Sequence, residues 1–102
     1  MPEMHFRILW PDGQRETCYS PSLVIKDYLI PGARYALGDF LDRSRTALRI
    51  ASDRVAAKYG HPCPRALRQL ALIETTGEAF TTQAGAQLDA YVTVEGFDEV
   101  EA

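Results

Sequence analysis

From Leu37 to Tyr59, apolar or small side chains recur at spacings of three and four: Leu37, Phe40, Leu41, Ser44, Ala47, Leu48, Ala51, Val55 and Tyr59. That period puts them on one face of an α-helix; a strand could not use it, because successive strand side chains point to opposite sides. Asp39 and Asp42 in the first turns and Lys58 in the last complement the helix dipole, and Gly60 suits the C-cap. The spacing predicts a helix over 38–59, roughly 33 Å long. In a chain of 102 residues, a rod of that length needs another layer to lie on.

The N-terminal segment supplies one. Met4, Phe6, Ile8 and Trp10 alternate with His5, Arg7 and Leu9, the period of a strand. Pro11-Asp12-Gly13 suits a short hairpin loop with a bulge, after which Arg15 to Tyr19 returns. With Trp10 paired to Gln14, Phe6 falls opposite Cys18 and His5 opposite Tyr19. Met4, Phe6, Ile8, Trp10 and Cys18 then make the apolar face, and His5, Arg7, Arg15 and Thr17 the wetter one. A third strand is expected over 88–95, where Leu88, Ala90, Val92 and Val94 alternate with Asp89, Tyr91, Thr93 and Glu95. It should pair beside the first strand, where Asp89 or Glu95 would offset Arg7.

Ser20-Pro21 reads as an N-cap followed by proline at the first helical position, giving a short helix over 22–28 that stops before Pro31-Gly32. Arg34-Tyr35-Ala36 reads as an extended link. After His61-Pro62-Cys63-Pro64 a second main helix follows, with Cys63 as its N-cap and Leu67, Leu70, Ile73 and Gly77 inward; 81–87 reads as a polar connector. The expected fold is a single α+β domain over 1–97, a small antiparallel sheet (hairpin plus C-terminal strand) packed against two main helices. Residues 98–102 are expected as a frayed acidic tail. The expected core is Phe6, Ile8, Trp10, Phe40, Leu48, Ala51, Val55, Leu67, Leu70 and Val92.

A three-stranded sheet is only about 10 Å across, so the long helix should overhang it. The overhang would carry Leu37 and Phe40 at one end and Val55 and Tyr59 at the other, and a homodimer through this helix is the expected cover. The alternative is that the 22–28 helix and the 31–35 link fold over it within one chain.

Eleven basic residues against 14 acidic ones leave a net charge of −3, the wrong balance for sequence-independent nucleic-acid binding. No apolar run approaches the roughly 20 residues of a membrane span, and the N-terminus lacks a signal-peptide pattern. A cytoplasmic protein is expected, with Cys18 and Cys63 as free thiols; a disulfide between them is the alternative. Neither a metal nor a cofactor is expected. The His5, Cys18, His61 and Cys63 spacings fit no common zinc pattern, and the hairpin register puts His5 and Cys18 on opposite faces. PGARYALG is not a phosphate loop, since no GK[ST] follows.

Cys63 is the residue with most chemical scope. A thiol at a helix N-terminus sits among unpaired N–H groups, and His61 two residues away could supply an imidazole. The plainer reading is a small apolar plug at a helix corner. Arg45 and Arg49, four apart, share a helix face and could meet an anion or a partner. Tyr19, Arg45, Arg49 and Cys63 are therefore the candidate ligand- or partner-binding residues, and Cys63 with His61 the alternative catalytic pair.

Cys18-Tyr19-Ser20-Pro21-Ser22, Pro31-Gly32, Phe40, Ser44-Arg45, Ala47-Leu48, Ala51-Ser52, Arg54-Val55, Lys58-Tyr59-Gly60 and Cys63 resemble the nitrogen-starvation-response proteins of bacterial nitrilase gene clusters. The N-terminal MPEMHFRILWPDG is similar to that family's opening as well. The resemblance implies a protein encoded beside a nitrilase, a radical-SAM protein, an acetyltransferase and a flavoprotein, in clusters associated with nitrogen limitation. It carries over no catalytic residue. The expected function is a non-enzymatic accessory or regulatory protein of bacterial nitrogen metabolism that binds a protein partner, such as another protein of the cluster, or a small metabolite. The alternative is a small cysteine-dependent enzyme acting on a nitrile- or cyanide-derived compound.

Overall fold

The computed structural model describes residues 3–84 and 90–100. Strands β1 (Glu3–Leu9) and β2 (Arg15–Ser20) form the hairpin, followed by a one-turn helix α1 (Ile25–Tyr28) and a short strand β3 (Arg34–Ala36). Helices α2 (Leu37–Tyr59) and α3 (Pro64–Ala84) come next, and β4 (Tyr91–Val100) completes a sheet of order β2-β1-β4-β3. Every pairing is antiparallel. The expected α+β fold stands, with one strand more than the three expected.

Turn chemistry sets the hairpin register. The Gly13 N–H donates to the Trp10 carbonyl at 2.9 Å and the Trp10 N–H to the Gln14 carbonyl at 2.8 Å. Gly13 holds φ at 89°, the left-handed position that closes such a loop and that side chains disfavour. Phe6 therefore pairs with Cys18 and His5 with Tyr19, as the sequence predicts. Strand β4 pairs with β1, also as expected, through Ile8 with Val94 and, beyond a register shift, Phe6 with Phe97.

The acidic end is not a frayed tail as far as Val100: Asp98, Glu99 and Val100 pair with His5, Met4 and Glu3. Arg7 is accordingly neutralised by Asp98, while Glu95 takes Arg15 at 3.1 Å; Asp89 and Leu88 lie outside the described residues. A Cβ at Gly96 would come 2.5 Å from the Arg7 guanidinium, so the bare backbone there leaves Arg7 room.

Two helix boundaries differ from expectation. Ser20 stays in β2, where its hydroxyl donates to the Ser22 carbonyl at 2.8 Å, and the Ser22 hydroxyl accepts from the Val24 N–H at 3.3 Å. These serines serve a turn, so α1 starts only at Ile25. Helix α3 continues through Ala84 where a polar connector was expected from 81.

The helices cover one face of the sheet. Met4, Phe6, Ile8, Val92 and Val94 meet Phe40, Leu48, Leu70 and Ile73 in one core, with Trp10 edge-on to Phe40 and stacked on Phe80. Leu67 is a correction: it is 46% exposed. Helix α3 buries Ala66, Leu70, Ile73 and Gly77 instead, and Leu67 lies about 100° round the helix from Ala66. The overhang of α2 is also largely covered within the chain. Leu37 and Phe40 belong to the main core, and Val55 packs with Tyr19, Cys63 and Ala66. Tyr59 alone of the four end residues is exposed.

Leu48 is fully buried, so Leu48→Ala should cost about 2–5 kcal/mol through the cavity it leaves. Leu67→Ala should stay within about 0.5 kcal/mol, as at other surface positions. Urea unfolding of the two variants measures both.

Candidate functional site

Strand β2 ends on Cys18-Tyr19-Ser20, all buried. The register sets Tyr19 on the wetter face, opposite His5, whose ring meets it edge-on at 6.3 Å. What covers Tyr19 is the corner between α2 and α3, which brings Val55, Cys63 and Ala66 against it. Its main-chain N–H donates to Gln69 Oε1 at 3.0 Å, so α3 closes this end of the edge strand. Its phenol donates to Glu3 Oε1 at 3.1 Å, and the Arg65 guanidinium lies 3.9 Å over its ring. Glu3, Tyr19, Pro21, Val55, Tyr59 and Cys63 line a pocket of about 140 Å³.

Cys63 occupies the N-cap position expected of it. Its carbonyl accepts the Leu67 N–H at 3.2 Å, the first bond of α3, and its own N–H donates to Ser52 Oγ at 3.2 Å. Ser52 of α2 thus fastens the corner, and Gly60 ends α2 in the left-handed conformation that starts the bend. His61 is exposed, and its Nδ1 lies 3.2 Å from the Pro62 carbonyl oxygen. No hydrogen bond among the described residues joins His61 to Cys63.

The four candidate binding residues separate into two places. Tyr19 and Cys63, 44 positions apart, meet in the pocket. Arg45 and Arg49 do not line it. Arg45 is tied to Asp42 at 2.9 Å and lies 3.8 Å from Glu74, while Arg49 is exposed with no ion pair among the described residues. Among the described residues no cluster of three or more His, Cys, Asp and Glu side chains could hold a metal ion.

Sequence reasoning missed Glu3, Arg65 and Glu16. Glu3 was within reach of it, since the register makes Glu3 a diagonal neighbour of Tyr19 on the same face. Arg65 reaches Tyr19 only because α3 folds back on β2. Glu16 pairs with Ile8 and is half-buried on the core side, where Oε1 accepts from the Trp10 indole at 2.9 Å and Oε2 lies 3.6 Å from Cys18 Sγ. Both cysteines are free and buried. Burial pushes the Cys18 thiol far above its ordinary range, and the neighbouring Glu16 carboxylate adds to the effect.

Burial also raises the Tyr19 phenol to about 12, helped by its hydrogen bond to Glu3 and by the Glu3 charge and opposed by Arg65. The folded protein therefore keeps this proton after the unfolded chain, titrating near 10, has released it. The associated stability is intact below about pH 10 and is lost as pH rises toward 12. Ultraviolet titration should show a tyrosinate transition near pH 12 that disappears in Tyr19→Phe.

Residues 5–97 match the family described as Nitrogen starvation-induced protein NitG. No curated protein and no solved structure matches the chain. No helix among the described residues is long and apolar enough to cross a membrane.

Proposed function

The chain belongs to the nitrogen starvation-induced protein NitG family, and from that premise we propose that it is a non-enzymatic accessory protein of bacterial nitrogen metabolism, acting in the cytoplasm on a protein partner. The observation that carries this reading is Tyr59, 56% exposed at the mouth of the Tyr19–Cys63 pocket. A pocket of about 140 Å³ is well below the roughly 300–1,000 Å³ of sites that enclose a small molecule. It suits one anchoring side chain of a partner, beside an exposed aromatic of the kind that dominates interface energies. Lys58, 5.5 Å over the Tyr59 ring, and Arg65 over Tyr19 set two cations around a pocket whose lining holds one carboxylate, Glu3, already engaged by the Tyr19 phenol. The anchor should therefore be flanked by carboxylates that face Lys58 and Arg65.

Enzymes encoded in the nitrilase cluster are the first partners to test. Tagged full-length chain purified from nitrogen-limited cells should retain one of them, and Tyr59→Ala should weaken that complex on the order of thirtyfold, the scale of an interface hot spot. Retention unchanged by Tyr59→Ala, or no partner under nitrogen starvation, would count against the reading. Cysteine chemistry on a nitrile- or cyanide-derived compound is less well supported, since it needs a base at the Cys63 thiol and His61 turns to a backbone carbonyl.

Tyr59 also favours a second reading, the homodimer through α2, which would bury it symmetrically. Light scattering at micromolar concentration separates the two: a mass near 11.4 kDa excludes the stable dimer, and one near twice that value supports it.

A further inference from the structure

The sheet face that the helices leave uncovered carries a second concavity, at the hairpin end. Leu9 of β1 pairs with Thr93 of β4, and Thr93 with Arg34 of β3. Residues paired across a ladder point to the same side, so an apolar group, a hydroxyl and a cation stand in one row on three adjacent strands. Tyr91, two positions from Thr93, shares that side. Pro11 and Gly13 of the hairpin turn flank the row, and together they shape an open concavity of about 260 Å³.

Arg34 is unlike the other arginines of this sheet. Arg7 and Arg15 are neutralised by Asp98 and Glu95 of β4. Arg34 instead lies with its guanidinium carbon 4.3 Å from the centre of the Tyr91 ring, and it has no carboxylate partner among the described residues. Stacking fixes the guanidinium plane while leaving its N–H edge free, which is how arginine presents itself for bidentate recognition of an anion.

We propose that this row binds a small monocarboxylic acid with a flat apolar body. The carboxylate takes the free edge of Arg34, the Thr93 hydroxyl donates a further hydrogen bond, and Leu9 and Tyr91 cover the apolar part. One cation and one hydroxyl satisfy a monoanion but leave most oxygens of a phosphate dianion without donors. The volume falls just under the roughly 300 Å³ at which drug-sized sites begin, so the acid is compact. This site is separate from the corner surface at Tyr59, and its test does not depend on any protein partner.

The test is an amide-resolved NMR titration of the full chain at constant ionic strength with sodium benzoate, with benzamide as its uncharged counterpart, and with inorganic phosphate. Benzoate should shift the Leu9, Gly13 and Thr93 amides along one saturable curve, and benzamide and phosphate should each bind at least tenfold more weakly. Arg34→Gln should weaken benzoate at least tenfold with the thermal midpoint unchanged. Arg34→Lys, which keeps the charge and loses the planar fork, should fall between the two. Equal binding of benzoate and benzamide, phosphate binding as tight as benzoate, indifference to Arg34→Gln, or no saturable shift at these amides would each overturn the proposal.

Discussion

Strand β1 is bonded on both sides, and its pairing with β4 is the contact on which the rest of the fold depends. The hairpin partner β2 is a short loop away, whereas β4 arrives from the other end of the chain. Closing a loop of that length costs on the order of 4 kcal/mol in the logarithmic chain-entropy term. Phe6, Ile8, Val92 and Val94 are fully buried. At about 1.5–3 kcal/mol for each large apolar side chain, their burial outweighs the closure even at the lower figure. The same pairing creates an edge for β3, which bonds only β4, and places Asp98 beside Arg7.

Around that sheet the helices do unequal work. Helix α2 spans the core with an almost unbroken buried face, and α1 and β3 fold against its N-terminal end, which is why Leu37 and Phe40 are covered without a second molecule. Helix α3 lies toward β2, where Gln69 meets the Tyr19 backbone and Ala66 and Gly77 are inward. Small inward residues let a helix approach closely and leave larger neighbours outside, and Leu67 and Leu72 are exposed as a result.

Charge divides the two candidate surfaces. Asp98 and Glu95 of β4 neutralise Arg7 and Arg15 on the open sheet face, whereas Arg34, in the same cross-strand row as Arg15, is held by an aromatic ring instead. At the α2–α3 corner Lys58 and Arg65 lie over Tyr59 and Tyr19, so aromatic faces coincide there too with cations that have no ion pair among the described residues. Cation–aromatic contacts hold a basic group in place without consuming its charge, and both surfaces are left able to meet an anion.

The sequence by itself determined whatever depends on neighbours in the chain. A turn with glycine in the left-handed conformation fixes the strands beside it, so Phe6 opposite Cys18 followed from Pro11-Asp12-Gly13. Gly60 and Cys63 mark helix ends because caps act within one turn, and the buried face of α2 followed from its own period. Tertiary structure decided whatever depends on remote partners. Three residues carry no period, so β3 exists as a strand only because β4 lies beside it. The extension of β4 to Val100 comes from pairing with Glu3 and Met4, which acidic composition cannot reveal. The inward side of α3 is set by where α2 and β2 let it settle, and Leu67 was misplaced for that reason. Tyr19 and Cys63 were recognisable as residues, but their shared pocket comes from a corner fastened by Ser52 and Gln69. Local patterns specify which face of an element is apolar; which elements meet is decided by the burial gained when all of them pack together.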